Sequence, residues 1–421
     1  MSVRSAAAER AFVAVTALSI LSNTPAIAQK AYDPGASDTE IKLGQTMPYS
    51  GPASAVSTIG KVQAAYFRMV NDRGGINGRK INLISYDDAY NPAKTVEQVR
   101  KLVESDEVLL MFQMLGTSPN AAAQRYLNSK RVPQLLASSG ADRFSNHKEY
   151  PWTMAFNASY QSEGHIFARY ILANYPNAKI GVLYQNGDFG KDYLKGLRDG
   201  LGAKASMIVS EASYEVIDPT IDSQIVRLKS SGADLLFNAS TSKFATQAIR
   251  KAAELGWRPV HILNGGTVSV SEVLLPAGAE NSKGIISVSA VNFSKNPTDP
   301  QWKDDPGMKR YFSFMEQYYP AGEKLSLFNS YGYAAAQMME HILTRCGDNL
   351  TRDNVMKIAT NLKNVVTDMT LPGAAGASTS PTDYRVSKEF LMMQFDGERW
   401  RRFGSVMTDD QQIDLSAPAR D

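Results

Sequence analysis

Two turns of this chain gather small hydroxyl residues at spacings that suit the capture of an anion. In Gly116-Thr117-Ser118-Pro119-Asn120, Ser118 is placed as an N-cap and Pro119 sits at the first helical position, where proline is favoured. A helix start of this kind offers free backbone N–H donors and a partial positive charge, to which Thr117 and Ser118 add neutral hydroxyl donors. Plain capping accounts for the same residues, so both readings stay open at this level. Ala137-Ser138-Ser139-Gly140 brings two more hydroxyls to the next such turn, and Gly140 lets backbone approach a ligand closely. Together the two turns make a cradle for a carboxylate. A third turn, Met47-Pro48-Tyr49-Ser50-Gly51-Pro52, carries Tyr49, which either stacks on a ring or covers the surface.

Catalysis has weaker support. Gly116 to Asn120 occupies a strand-to-helix turn but lacks the closing glycine of a nucleophile elbow. His147, His165, His261 and His341 stand singly, with no H-E-x-x-H and no cysteine spacing for a metal. Asp87-Asp88 after a strand reads as a solvated or capping pair, and Cys346, the only cysteine, as a small buried apolar residue. No catalytic residue, metal or cofactor is therefore expected. Lys and Arg number 45 against 42 Asp and Glu, with no long run of one sign, so nothing points to nucleic acid. A small-molecule site fits this composition.

The elements that position those turns alternate regularly. Strands are read at Ile41–Thr46, Lys80–Tyr86, Val108–Phe112 and Val132–Ala137, with helices over Ser57–Asn71, Pro92–Ser105 and Pro119–Asn128 between them. The alternation restarts after Trp152 with strand Lys179–Tyr184, helix Asp188–Leu201, strand Ser206–Ser210, helix Thr220–Ser230, strand Asp234–Asn238 and helix Lys243–Leu255. Strands Val260–Leu263 and Gly284–Ser289 follow, then helices Lys309–Tyr318, Tyr331–Thr344 and Arg352–Asn361. Gly373–Pro381 is a loop by composition, and Phe390–Phe395 pairs with Trp400–Phe403 through the turn Asp396-Gly397. Near-continuous apolar strands between helices predict an α/β fold with two doubly wound parallel-sheet lobes, and ligands in such sheets bind outside the carboxyl ends of the strands.

Arg4 and Arg10 precede an apolar run from Ala11 to Leu21 and then Ala26-Ile27-Ala28, the pattern of a signal peptide cut after Ala28. The run is shorter than the roughly 20 residues that cross a bilayer. The cleavage site has no cysteine for a lipid anchor, so release into a periplasm is expected. About 390 mature residues allow two domains or a little more.

The chain resembles the type I periplasmic binding proteins, in particular the leucine/isoleucine/valine-binding family of ABC transporter components. The residues that carry the likeness are Ser50-Gly51-Pro52, Asn71-Asp72-Arg73-Gly74-Gly75-Ile76-Asn77-Gly78, Asp87-Asp88, Tyr184-Gln185-Asn186-Gly187-Asp188-Phe189-Gly190 and Ala252-Ala253-Glu254-Leu255-Gly256. Their order and spacing run through nearly all of the mature chain. The resemblance implies two lobes joined by a three-crossover hinge, with crossings near Ala158, Val291 and Ser378. It divides the chain into a signal peptide over 1–28, an N-terminal lobe over 39–158 plus 291–377, and a C-terminal lobe over 159–290 plus 378–415. It also implies lobe closure on the ligand, permease subunits as partners and a monomer as the working state.

Carried over position by position, the family's carboxylate contacts fall on Thr117, Ser138 and Gly140, beside Ser118 and Ser139. Its second-lobe contacts fall on Tyr160, Phe189 and Thr241, and its acidic loop on Asn264-Gly265-Gly266. Amino-acid-binding members carry in that loop a glutamate that pairs with the ligand's ammonium, yet no Asp or Glu occurs here between Glu254 and Glu272. A buried ammonium without a partner costs several kcal/mol. The expected ligand is therefore an aromatic or similarly hydrophobic carboxylate, with branched-chain amino acid uptake as the alternative and a ligand-sensing receptor domain as the alternative of another class.

Overall fold

The computed structural model describes residues 30–410, so the signal-peptide segment and its cleavage site lie outside the described residues. Five strands form the smaller sheet: β1 (Glu40–Met47), β2 (Lys80–Asp87), β3 (Leu110–Phe112), β4 (Gln134–Ala137) and β5 (Thr153–Ala155), in the order β2-β1-β3-β4-β5. All of its pairings are parallel, as in Glu40↔Lys80 through Met47↔Asp87. The helices between them are α1 (Thr58–Asp72), α2 (Pro92–Glu104) and α3 (Thr117–Ser129). Asn91 caps α2 by accepting from Ala93 and Lys94, with Pro92 at its first position.

The chain then crosses to α4 (Tyr160–Asn174), a helix the sequence reading did not delineate. Its first turn, Tyr-Gln-Ser-Glu-Gly, is polar and small and dilutes the apolar periodicity that Ile166, Phe167, Tyr170 and Ile171 supply later. The start is nonetheless well defined, because the Ser159 hydroxyl oxygen accepts from the backbone N–H of Ser162 at 3.0 Å. The larger sheet follows, with β6 (Ile180–Gln185), α5 (Asp188–Leu201), β7 (Ile208–Tyr214), α6 (Asp222–Ser230), β8 (Leu235–Ala239), α7 (Ser242–Glu254), β9 (Val260–Leu263) and β10 (Ile286–Ala290). β7 begins two residues later than the expected Ser206, since Gly202–Met207 closes a 3-10 turn first.

From β10 the chain returns to the smaller sheet, where α8 (Pro306–Tyr318), α9 (Leu327–Cys346) and α10 (Arg352–Ala359) pack. It crosses a third time to end in β11 (Phe390–Phe395) and β12 (Trp400–Met407). These two join the larger sheet antiparallel at its edge, giving the order β12-β11-β10-β9-β8-β6-β7. The result is the two-lobed α/β architecture expected, with an antiparallel edge on the second sheet. Tyr66, Phe67, Phe314 and Tyr333 anchor the first core, and Phe167, Phe237 and Tyr193 the second. Each such burial contributes about 1.5–3 kcal/mol. No helix among the described residues is long and apolar enough to cross a membrane.

Candidate functional site

A cavity of about 250 Å³ lies between the lobes and takes its walls from both sheets. Of the residues singled out by sequence, Thr117, Ser138, Tyr160, Phe189, Thr241 and Gly265 line it. Thr117 opens α3, two residues earlier than the capping pattern indicated. The N-cap is Gly116 rather than Ser118, and no side chain caps it. Gly116 has φ +98°, and a β-carbon there would lie 2.4 Å from the ring of Tyr90, so only glycine fits. The first turn of α3 therefore keeps its backbone N–H groups free of a side-chain cap on the cavity wall.

The hydroxyls around this helix start are held in place. Thr117 Oγ1 and Ser139 Oγ are 2.8 Å apart. Ser138 Oγ lies 3.0 Å from the Tyr331 hydroxyl, whose own proton goes to Asn157 Oδ1, so Ser138 donates to Tyr331. Beside these hydroxyls the ring of Tyr160 stacks on Tyr193 at 4.6 Å and meets Phe189 edge-on at 5.1 Å, a packed aromatic wall. Phe293, Phe328, Leu115 and Val56 extend the apolar lining.

Five of the expected positions do not reach the wall, each for a local reason. Tyr49 turns away, its hydroxyl 2.7 Å from Ser85 Oγ. Ser118 lies at the seam between lobes, with Oγ 3.6 Å from where a β-carbon of Gly187 would stand. Ser139 is fully buried behind Thr117. Gly140 backs onto the Ala158 carbonyl and the Tyr160 ring. Asn264 is buried and shapes its turn, donating to the Ser240 carbonyl at 2.8 Å and accepting from Gly266 N–H at 3.0 Å.

Of the wall residues that the sequence reading missed, three bear on the chemistry. Tyr90 follows Ala89, and both adopt positive φ, +52° and +59°. Such strain in non-glycine residues persists only where the surroundings fix it. Here Asp87 accepts from Ala89 N–H at 3.0 Å and Asp88 from Tyr90 N–H at 2.9 Å, which gives the aspartate pair its purpose. The Tyr90 hydroxyl faces Gln185 of the opposite lobe, and burial raises its pKa. Arg402 of β12 is the second.

The third is Glu163, an acid that comes to the acid-free loop from another element. It sits on α4, one turn in, and its Oε2 accepts from the backbone N–H of Gly265 at 3.0 Å and from the Tyr193 hydroxyl at 2.9 Å. A carboxyl thus stands against the loop that has none of its own. Burial pushes its pKa up to about 7, against the pull of the Gly265 and Tyr193 donors. Among the described residues the other charged side chains on the wall are Lys243 and Arg402, both cationic. No cluster of three or more His, Cys, Asp or Glu among those residues is placed to hold a metal.

A family model described as periplasmic binding protein matches residues 40–399. The Leu/Ile/Val-binding protein homolog 1 of Brucella suis biovar 1 (strain 1330) is 23% identical over 343 residues, covering 80% of this chain and 87% of that protein. Among solved structures, a branched chain amino acid ABC transporter protein from Thermus thermophilus with bound valine superposes with a TM-score of 0.77 at 16% identity, covering 89% of this chain and 97% of that one. A fatty acid ABC transporter substrate-binding protein from Thermomonospora curvata gives a TM-score of 0.73 at 18% identity, covering 92% and 98%.

Proposed function

The chain belongs to the periplasmic binding protein family, and on that basis we propose that it captures a small carboxylate with an apolar body in the interlobe cavity and hands it to the permease subunits of an ABC transporter. The observation that carries this reading is the wall itself. The uncapped start of α3, with Thr117 and Ser138 beside it, suits a carboxylate. Tyr160, Phe189 and Phe293 suit an aromatic or aliphatic body. Lys243 and Arg402 against Glu163 leave the cavity with a positive balance, which favours an anion. The proposal includes export by the leader over residues 1–28, cleaved after Ala28, and action as a monomer.

A second reading has its own observation. The carboxyl of Glu163 beside Gly265 can pair with an ammonium, so a branched-chain amino acid fits as well as an aromatic or aliphatic acid. The valine and the fatty acid named for the two structural neighbours share a carboxylate on an aliphatic body. Thermal unfolding of the mature protein against leucine, valine, benzoate, octanoate and the matching amides tests both readings. A ligand at 100 times its dissociation constant stabilises by about 2.7 kcal/mol. Stabilisation by the acids and not by the amides is expected. Stabilisation by the amides alone would sink the proposal.

A further inference from the structure

Arg402 is a cation on the cavity wall without a carboxylate. It lies on β12, two residues from Trp400, so the two side chains share a face of the strand, and both line the cavity. The guanidinium lies 5.4 Å from the Trp302 ring centre, and one Nη2 proton goes to the Ser294 carbonyl at 3.1 Å. Its Nε is buried with no acceptor. The acid that faces it, Asp299, is itself buried and already pairs with Arg399 at 3.5 Å and accepts from Gln301. Burial lowers the Arg402 pKa, as expected of a charge that lacks compensation.

The position of Arg402 in the sheet is as informative as its chemistry. β12 is the edge strand, and β6 lies five neighbours away in the same sheet. At about 4.8 Å per strand the two are separated by roughly 24 Å. Phe189, at the start of the helix that follows β6, lines the same cavity. α3 packs beside that helix, α5, so the Thr117 cradle sits at the β6 side. The cavity therefore runs across the sheet, with an anion-suited helix start toward one side and an unpaired guanidinium toward the other.

We propose that Arg402 is a second recognition point for the ligand, and that the preferred ligand is an extended acid whose distal end carries a further carboxylate or comparable acceptor. The assignment rests on the carboxylate-capture reading above and names its ligand class more narrowly. The guanidinium fork retains Nη1 and the second Nη2 proton for a planar acceptor, which it matches in a two-point fashion.

Matched pairs long enough to reach across the sheet test this by calorimetry on the mature protein: tetradecanoate against tetradecanedioate, and octadecanoate against octadecanedioate. Wild type is expected to bind the diacid of at least one pair about tenfold or more tightly than its monoacid. Arg402→Met is expected to abolish that preference by weakening the diacid about tenfold more than the monoacid, which loses only its share of the cavity's positive balance, and Arg402→Lys to restore part of it. A merely structural brace on Ser294 and Trp302 would instead weaken both members of a pair alike in the variant, and that result overturns the inference. Equal affinity within both pairs in wild type also overturns it while leaving carboxylate capture intact. Failure of every acid to bind overturns both.

Discussion

Oε2 of Glu163 and the backbone N–H of Gly265 meet at 3.0 Å although 102 residues separate them in sequence. The contact joins the first turn of α4 to the loop after β9, and the Tyr193 hydroxyl closes on the same oxygen. Two donors stabilise the ionised form, yet burial outweighs them and the carboxyl titrates at about 7. A group held neutral until neutral pH behaves differently toward an ammonium and toward a bare carboxylate, and its titration is open to measurement.

Stability of the ligand-free protein is expected to fall between pH 4.5 and 7. The folded-state pKa of Glu163 lies above the ordinary 4.5, so in that window the native state holds a proton the unfolded chain has lost. The ionisation costs roughly 3 kcal/mol once pH exceeds 7. Glu163→Gln removes it. Urea unfolding of wild type and variant should nearly coincide at pH 5 and diverge at pH 8, with the variant more stable. A gap that does not change with pH would show that Glu163 titrates normally.

Ligand affinity carries the same signature with opposite signs for the two ligand classes. An ammonium at Glu163 needs the ionised carboxylate, so leucine binding should tighten about tenfold per pH unit on rising toward 7 and then level off. A carboxylate without an ammonium favours the protonated acid, so benzoate or octanoate should bind best below 7 and weaken above it. Isothermal titration across that range separates the two. Flat profiles would mean that Glu163 stays clear of the ligand.

Ser138→Ala is expected to weaken carboxylate binding about ten- to a hundredfold, because the hydroxyl proton that Tyr331 receives in the ligand-free cavity turns to the carboxylate on binding, one hydrogen bond to a charged group. The melting temperature should barely move, because Tyr331 keeps Asn157 as its acceptor. Tyr49→Phe is the contrasting variant. Its hydroxyl serves Ser85 away from the cavity, so its affinity should match wild type. A Tyr49 effect as large as that of Ser138 would place the ligand elsewhere.

What the sequence made legible follows from which signals are local. The strands of both sheets are apolar runs bounded by turns, and most helices carry a clear stripe, so order and layer arrangement were readable from periodicity. Thr117 and Ser138 were found from turn chemistry because a helix start and a strand end are short-range features. Glu163, Tyr90 and Arg402 were not, since each reaches the wall by a long-range arrangement. Glu163 is brought to Gly265 by a helix after a lobe crossing, and Arg402 by an edge strand that returns to the larger sheet. Tyr90 depends on left-handed backbone held by Asp87 and Asp88, and the only sequence signal for it was that aspartate pair. The absence of an acid in one loop was read correctly, but it did not mean the absence of an acid at that place.

Gly140, packed against Ala158 and Tyr160, and Gly187, near Ser118, should respond differently to alanine. A β-carbon on Gly140 would stand 2.0 Å from the Ala158 carbonyl oxygen and 2.7 Å from the Tyr160 ring, where the chain first crosses between lobes. The backbone must shift to admit it, so Gly140→Ala is expected to cost about 1–3 kcal/mol or more, as overpacking does. Because the shift falls on Tyr160, ligand affinity should drop with stability. At Gly187 the nearest atoms to an added β-carbon are 3.5 and 3.6 Å away, and its φ of −169° is extended backbone open to any residue. Gly187→Ala should therefore change stability by less than about 0.5 kcal/mol. Chemical denaturation of the two variants decides the matter, and equal costs would mean that Gly140 is not the tight contact between crossing and cradle described above.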